Sequence, residues 1–110
     1  MIICGDFNTA NEEIDFHKTA YSHKLPSCTR EERASFKKMH DQGWIDTFRY
    51  LHPREQKYTW WFVAYDDRKR NIGRRLDYFL VNKEFISCVK ESKTCGEVMG
   101  SDHCPIFMRI

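Results

Sequence analysis

Apolar positions open the chain as a run rather than a stripe. Met1 to Cys4 is uninterrupted and stopped by Gly5, the pattern of a short buried strand whose C-terminal end presents Asp6 and Asn8. Asn11 to Cys28 has no clean period and predicts a long surface loop. Thr29 and Glu32 form a T-x-x-E capping box, Ala34, Phe36 and Met39 mark a partial apolar face, and Gly43 supplies a stop, so a helix is predicted between them. Trp44, Ile45, Phe48 and Leu51 predict a short helical turn ended by Pro53. The texture then changes. Tyr58 to Tyr65 is rich in aromatic and β-branched residues and reads as a strand, Asp66 to Gly73 as a charged turn, and Arg74 to Asn82 as a second strand of a hairpin. Lys83 to Lys90 predicts a short helix, Cys95 to Met99 a brief extended piece, and Cys104 to Ile110 a final strand. The clear helix lies in the first half and strands dominate the second, so the class is α+β.

Composition narrows the setting. With 110 residues the chain holds one domain at most, and 41% hydrophobic with 31% charged residues describes a globular protein rather than a disordered one. No apolar run approaches membrane-spanning length, so a membrane is not an expected partner. The five cysteines are odd in number, widely spaced and without a C-x-x-C pair, which argues against a zinc site or a disulfide framework and for reduced thiols. The expected location is cytoplasmic in a bacterium or nuclear in a eukaryote. A net charge of +2 does not by itself indicate nucleic acid, but Arg68, Lys69, Arg70, Arg74 and Arg75 fall within eight residues. Such a basic stretch at a hairpin tip is either a solvated turn or a phosphate contact.

Four short segments carry the chemistry. In Gly5 to Asn8 (GDFN), a carboxylate and an amide two residues apart can align a water and accept its proton, or can form an Asx turn with their own backbone. In Ser101 to His103 (SDH), Asp and His before a strand can offer a metal ligand and a phosphate-binding imidazole, or make a turn with a surface histidine. In Arg74 to Val81, strand alternation puts Leu76, Tyr78 and Leu80 on one face and Arg75, Asp77, Phe79 and Val81 on the other. Asp77 among apolar neighbours needs a partner, either a histidine or an arginine such as Arg75. In Tyr58 to Trp61 (YTWW), adjacent tryptophans point to opposite faces, so one packs inside and the other can stack on a base or sugar.

Taken in order, GDFN, YTWW, NIGRRLDYFLV and GSDHCPI, together with EEIDF (Glu12 to Phe16) and TREER (Thr29 to Arg33), resemble the C-terminal half of the exonuclease III family of apurinic/apyrimidinic endonucleases. That family lies within the endonuclease/exonuclease/phosphatase superfamily. The resemblance covers essentially the whole chain. It implies the C-terminal half of a four-layer α/β sandwich, in which two packed, mainly antiparallel sheets are flanked by helices. It further implies Mg²⁺-dependent hydrolysis of double-stranded DNA on the 5′ side of an abasic site, with Mn²⁺ as a possible substitute. By the same resemblance, Asp6 orients and deprotonates the attacking water, Asn8 helps to hold the phosphate region, and Asp102 is the magnesium ligand. His103 stabilises the phosphate across from Asp6, on the opposite side of the scissile group, and Asp77 orients His103. Trp60 forms the aromatic wall of the abasic-sugar pocket. Arg74 stands where the family has a second wall tryptophan, and Arg70 and Asn71 are candidate substrate contacts at the hairpin tip.

The resemblance also implies that residues 1–110 lack the N-terminal half, with its Asn, Glu metal ligand and catalytic Tyr. On that expectation the chain is a truncated product, a split half or one piece of a longer chain. It has little or no activity alone, and an uncovered sheet face invites self-association or a complementary half as partner. A non-catalytic DNA- or partner-binding fragment, a retroelement-type endonuclease and a phosphoesterase of small phosphates are the competing readings.

Overall fold

The computed structural model describes residues 1–20 and 25–110; residues 21–24, part of the predicted long loop, lie outside the described residues. In chain order the elements are β1 (Ile2–Asp6), α1 (Arg30–Asp41), β2 (Trp44–Asp46), α2 (Thr47–Leu51), β3 (Trp60–Trp61), β4 (Gly73–Arg74), β5 (Asp77–Asn82), β6 (Glu91–Thr94) and β7 (Ile106–Arg109), joined by loops and short 3₁₀ turns. The described strands form three antiparallel sheets: β1-β5-β2, β3-β4 and β6-β7. The α+β class and the antiparallel pairing follow the sequence reading.

β5 is central because it can be buried on one face and paired on both edges. Tyr78 and Leu80 point to one side and meet Phe36 of α1, with Ile3, Phe7, Met39 and Trp44 filling in around them. The rings of Phe36 and Tyr78 lie 4.7 Å apart, and Phe7 meets both edge-on at 5.8 and 5.7 Å. Burying a ring such as Phe36 contributes about 1.5–3 kcal/mol. α1 starts where the capping box places it: the Glu32 amide donates to Thr29 Oγ1 at 3.2 Å, and the Thr29 amide donates to Glu32 Oε2 at 3.0 Å. It ends before Gly43, whose φ of +95° takes the chain out of the helix.

Several predicted elements change. Trp44–Asp46 is a strand, not the start of a helical turn, since β5 offers it a free edge; only Thr47–Leu51 is helical. The predicted strand at Tyr58 to Tyr65 pairs over Trp60–Trp61 alone and then enters a 3₁₀ turn at Val63–Tyr65. The strand predicted over Arg74 to Asn82 is broken between β4 and β5 at Arg75 and Leu76. In the stretch after Asn82, a 3₁₀ turn at Ile86–Cys88 replaces the predicted helix. The extended piece expected at Cys95 to Met99 lies instead at Glu91–Thr94, which pairs with β7.

That break sends Arg75 away from the Asp77 face into a buried ion network. Arg75 Nε donates to Asp15 Oδ1 at 2.8 Å, and its Nη1 and Nη2 donate to Asp46 Oδ1 and Oδ2 at 3.0 and 2.6 Å. Arg49 Nη2 also donates to Asp15 Oδ1 at 2.6 Å, and Arg49 Nη1 caps the carbonyls of His52 and Glu55. Two guanidinium groups thus face two carboxylates. Burial opposes the charge on Arg75, but Asp46 and Asp15 outweigh it and hold the group protonated far above the normal working range. The Tyr78 phenol closes the network, its hydroxyl shared between the Thr9 and Arg75 carbonyls; burial pushes its pKa well above the ordinary value, so it remains a neutral donor.

The network therefore ties the 12–16 turn, the β2–α2 junction and the lead-in to β5 together. Replacing Arg75→Met keeps the volume but leaves Asp15 and Asp46 without their shared cation. A loss of about 3–5 kcal/mol is expected in urea unfolding. A loss under ~1 kcal/mol would show that the network is dispensable.

Candidate active site

Antiparallel pairing of β1 with β5 sets Asp6 directly opposite Asp77. Two carboxylates facing each other across a ladder repel, and such a pair destabilises a sheet unless a cation lies between them. His103 occupies that position. Its Nδ1 lies 2.9 Å from Asp77 Oδ2, and its Nε2 lies 3.8 Å from Asp6 Oδ2. Burial works against the imidazolium, but the Asp77 hydrogen bond and the charges of Asp77, Asp6 and Asp102 prevail and raise its pKa above the ordinary 6.5. With each ring nitrogen facing a carboxylate, the doubly protonated ring satisfies both.

Each member of the group is held by backbone. Asn8 takes φ of 50°, and its amide donates to Asp6 Oδ1 at 2.8 Å, so the Asx turn does form. It does not displace the chemical reading: it fixes one Asp6 oxygen and leaves Oδ2 toward His103. The Asp77 amide, with that of Leu76, donates to the hydroxyl of Thr59, at 3.2 and 2.9 Å. The Thr59 carbonyl accepts from the Cys104 amide at 2.8 Å, and the Trp61 amide donates to the Asp102 carbonyl at 3.1 Å. Strand β3 is therefore the splint between the LDY and SDH segments. Thr59 is fully buried and was not singled out from sequence; a lone hydroxyl within an aromatic strand was the available signal.

Asp102 is exposed and lies next to this group in sequence, with Trp60 Nε1 donating to its Oδ2 at 3.0 Å. That indole bond is the main reason its acidity is increased, with His103 adding a smaller pull. Trp60 is half-buried, and the Arg74 guanidinium lies over its ring at 5.5 Å. Arg74 is anchored from behind, donating to the Pro26 carbonyl at 2.7 Å and to Ser27 Oγ at 2.6 Å. The two candidates from the hairpin tip make no hydrogen bond to the Asp6, Asp77 and His103 group. Arg70 pairs with Asp67 and the Tyr65 carbonyl, and Asn71 Oδ1 accepts from Trp61 Nε1 at 3.2 Å. Trp61 is the tryptophan that packs inside, beside Tyr58 and Cys104. Gly73 permits the close pairing of β3 with β4, because a Cβ there would lie 2.6 Å from the Trp60 carbonyl oxygen and from the Trp61 ring.

Ligand atoms of Asp6, Asp77 and His103 lie within 4.8 Å of one another, a spacing compatible with a metal ion. The imidazole Nδ1 is already bonded to Asp77, however, and a hard cation such as Mg²⁺ favours oxygen donors. Asp102 fits better. It is ionised and exposed, one oxygen is oriented by Trp60, and the other has only a 3.4 Å contact with Ser101 Oγ. A single carboxylate completed by waters and substrate phosphate is an acceptable Mg²⁺ site. The 3.8 Å between Asp6 and His103 also has a chemical meaning. Both can bond one shared oxygen atom at ordinary hydrogen-bond lengths, but the gap is too short to enclose a whole phosphate group.

The model of the endonuclease/exonuclease/phosphatase family matches residues 1–103. The chain is 36% identical over 111 residues to an exodeoxyribonuclease of Bacillus subtilis, covering 100% of this chain and 44% of the relative. It is 42% identical over 108 residues to the DNA-(apurinic or apyrimidinic site) endonuclease of Dictyostelium discoideum, covering 96% of this chain and 30% of the relative. Among solved structures, the AP endonuclease LMAP from Leishmania major superposes with a TM-score of 0.90 at 36% identity, over 97% of this chain and 34% of that one. The chain thus spans less than half the length of each. Matched over residues 1–103, the chain belongs to the endonuclease/exonuclease/phosphatase family.

Proposed function

We propose that these residues carry the base and phosphate-binding side of a DNA phosphodiesterase that hydrolyses the backbone 5′ to an abasic site. The observation that supports this best is an imidazole held between two facing carboxylates, beside an exposed third carboxylate. In this reading Asp6 Oδ2 accepts a proton from the attacking water. His103, protonated and oriented by Asp77, donates from Nε2 to a phosphate oxygen as negative charge builds there. Asn8 borders the same position. Asp102 would hold the Mg²⁺, or Mn²⁺ in its place, which when bound withdraws charge from a phosphate oxygen. The Trp60 ring, backed by Arg74, forms a wall for the flipped-out sugar; a nucleotide lacking its base has no stacking to lose. Arg70 and Asn71 then act at the tip, Arg70 toward phosphate and Asn71 through the placing of Trp61.

Asp102 is the one carboxylate these residues assign to the cation, so turnover by residues 1–110 alone is expected at trace level. Binding is the primary measurement. With Mg²⁺, the chain should prefer a duplex containing a tetrahydrofuran abasic analogue over an intact duplex, with an affinity that falls as salt rises. Any cut should lie 5′ to the lesion and drop about 10²–10⁴-fold in Asp6→Asn. Equal handling of intact duplex, or preferential hydrolysis of an inositol phosphate, would move the reading to another branch of the family. Salt-dependent binding without cleavage, unchanged by Asp6→Asn, would favour a non-catalytic DNA-binding role.

The raised pKa of His103 gives a sign that can be checked. Its contribution to stability is complete below the ordinary 6.5 and is lost as pH rises through the folded value. An NMR titration should place the His103 midpoint above 6.5, and Asp77→Asn should bring it down. A wild-type midpoint at or below 6.5 would contradict the arrangement.

The sheet face that carries Asp6 and Asp77 also carries Ile2, Cys4 and Phe79, and Ile2 is 43% exposed. A second copy, or a complementary segment, is the proposed cover. Sedimentation should show concentration-dependent association, and a strictly monomeric profile to high concentration would exclude self-association.

A further inference from the structure

Asp102 and His103 sit at the end of a loop, residues 96–103, with little regular structure to fix it. Gly100 adopts φ of +115°, Val98 and Met99 are exposed, and the loop's own bonds include a turn from the Val98 amide to the Cys95 carbonyl and the His103 amide to Ser101 Oγ. One side chain from the opposite hairpin reaches across to it. Arg68 Nη1 donates to the Ser101 carbonyl at 3.0 Å, and Nη2 donates to the carbonyls of Gly96 at 3.0 Å and Val98 at 2.7 Å. The guanidinium lies over the Trp61 ring, 4.5 Å from its centroid. Trp61 is itself fixed by Asn71, and its amide holds the Asp102 carbonyl.

From this geometry, and resting on the reading of Asp102 and His103 given above, we propose that Arg68 is the positioning residue for that pair. It touches neither reacting group. It gathers three carbonyls at loop positions 96, 98 and 101 onto one planar fork, and so sets where residue 102 emerges. The stacking on Trp61 makes the fork rigid with respect to β3, whose other tryptophan grips the Asp102 carboxylate. Charge-assisted bonds to several carbonyls in fixed directions suit a guanidinium; a lysine ammonium keeps the charge but not the fork. Arg68 makes no ion pair among the described residues, whereas its neighbours Lys69 and Arg70 pair with Asp66 and Asp67. The tip is thereby divided: Arg68 serves the loop, while Lys69 and Arg70 lie beside Asp66 and Asp67.

The test uses ¹H–¹⁵N spectra of the full 110-residue chain, wild type, Arg68→Ala and Arg68→Lys, with Asp102→Ala as the reference for a lost indole bond. Trp60 Nε1–H reports the Asp102 carboxylate, the Trp61 amide reports the Asp102 carbonyl, and the Leu80 amide reports the central sheet. Arg68→Ala should move the Trp60 indole signal toward its Asp102→Ala position and shift the Trp61 amide, with Leu80 unchanged. Arg68→Lys should restore less than about half of either shift. The Mg²⁺ response of the Trp60 indole, measured with MgCl₂ alone, should require about tenfold or more metal in Arg68→Ala. Wild-type Trp60 and Trp61 signals in Arg68→Ala, or full recovery in Arg68→Lys, overturn the proposal. If Arg68→Ala loses the Leu80 signal, Arg68→Lys decides by the same two resonances. A wild-type chain without any Mg²⁺ response overturns the reading of Asp102 as cation ligand, while the metal-free spectra still decide the role of Arg68.

Discussion

The buried guanidinium of Arg75 is the constraint on which the other parts converge. Its three donor directions fix Asp15 in the 12–16 turn and both oxygens of Asp46 at the start of α2. The turn is also tied to the lead-in of β5 by backbone, where the Arg75 amide donates to the Asp15 carbonyl at 2.7 Å, and the ions extend that tie to the start of α2. An apolar residue could fill the same volume, and buried pairs are not in general more stable than such a replacement. What the ions add is direction. A methionine accepts many arrangements of its neighbours, whereas a planar fork bonded to two carboxylates accepts few. The 12–16 turn stays against Leu76, next to the β1–β5 pairing whose register sets Asp6 against Asp77.

From that register follows the electrostatics of the site. Facing carboxylates create a local need for positive charge, and His103 meets it from the far end of the chain. The imidazolium is thus stabilised by the same two groups whose chemistry it would serve. β3 carries the burden of bringing it there. Thr59 bonds both neighbours, Trp61 grips the Asp102 backbone, and Trp60 grips the Asp102 side chain.

Local features were legible where their cause is local. The capping box at Thr29 and Glu32 and the glycine stop marked α1, and the apolar run before Gly5 marked β1. Trp44, Ile45, Phe48 and Leu51 share a helical spacing, but only Phe48 and Leu51 lie in α2; Trp44 and Ile45 misled because the free edge of β5 takes them as a strand. The aromatic density after Tyr58 suggested a longer strand, but pairing needs a partner edge and β4 offers two residues. In the site, Asp77 was recognisable as a carboxylate that needed a cation, and the choice between Arg75 and His103 was not local. Arg75 is satisfied by a carboxylate 60 residues away. Nothing in a window of sequence encodes that distance, and the same holds for the reach of Arg68 to the 96–101 loop.

The break between β4 and β5 has a consequence for how errors are excluded. Arg75 and Asp77 are two residues apart, and an unbroken strand would turn both to the same side. The interruption sends the cation inward and the anion outward. A one-residue slip of β5 against β1 would bring Leu76 or Tyr78 opposite Asp6 and turn Asp77 toward the side that holds Phe36 and Phe7. There the carboxylate would face apolar rings without the His103 bond it has in the native register, a costly burial of charge. Packing of β5 and the placing of Asp77 against His103 are therefore set by one parity, so a molecule that misplaces the strand also loses the ion group.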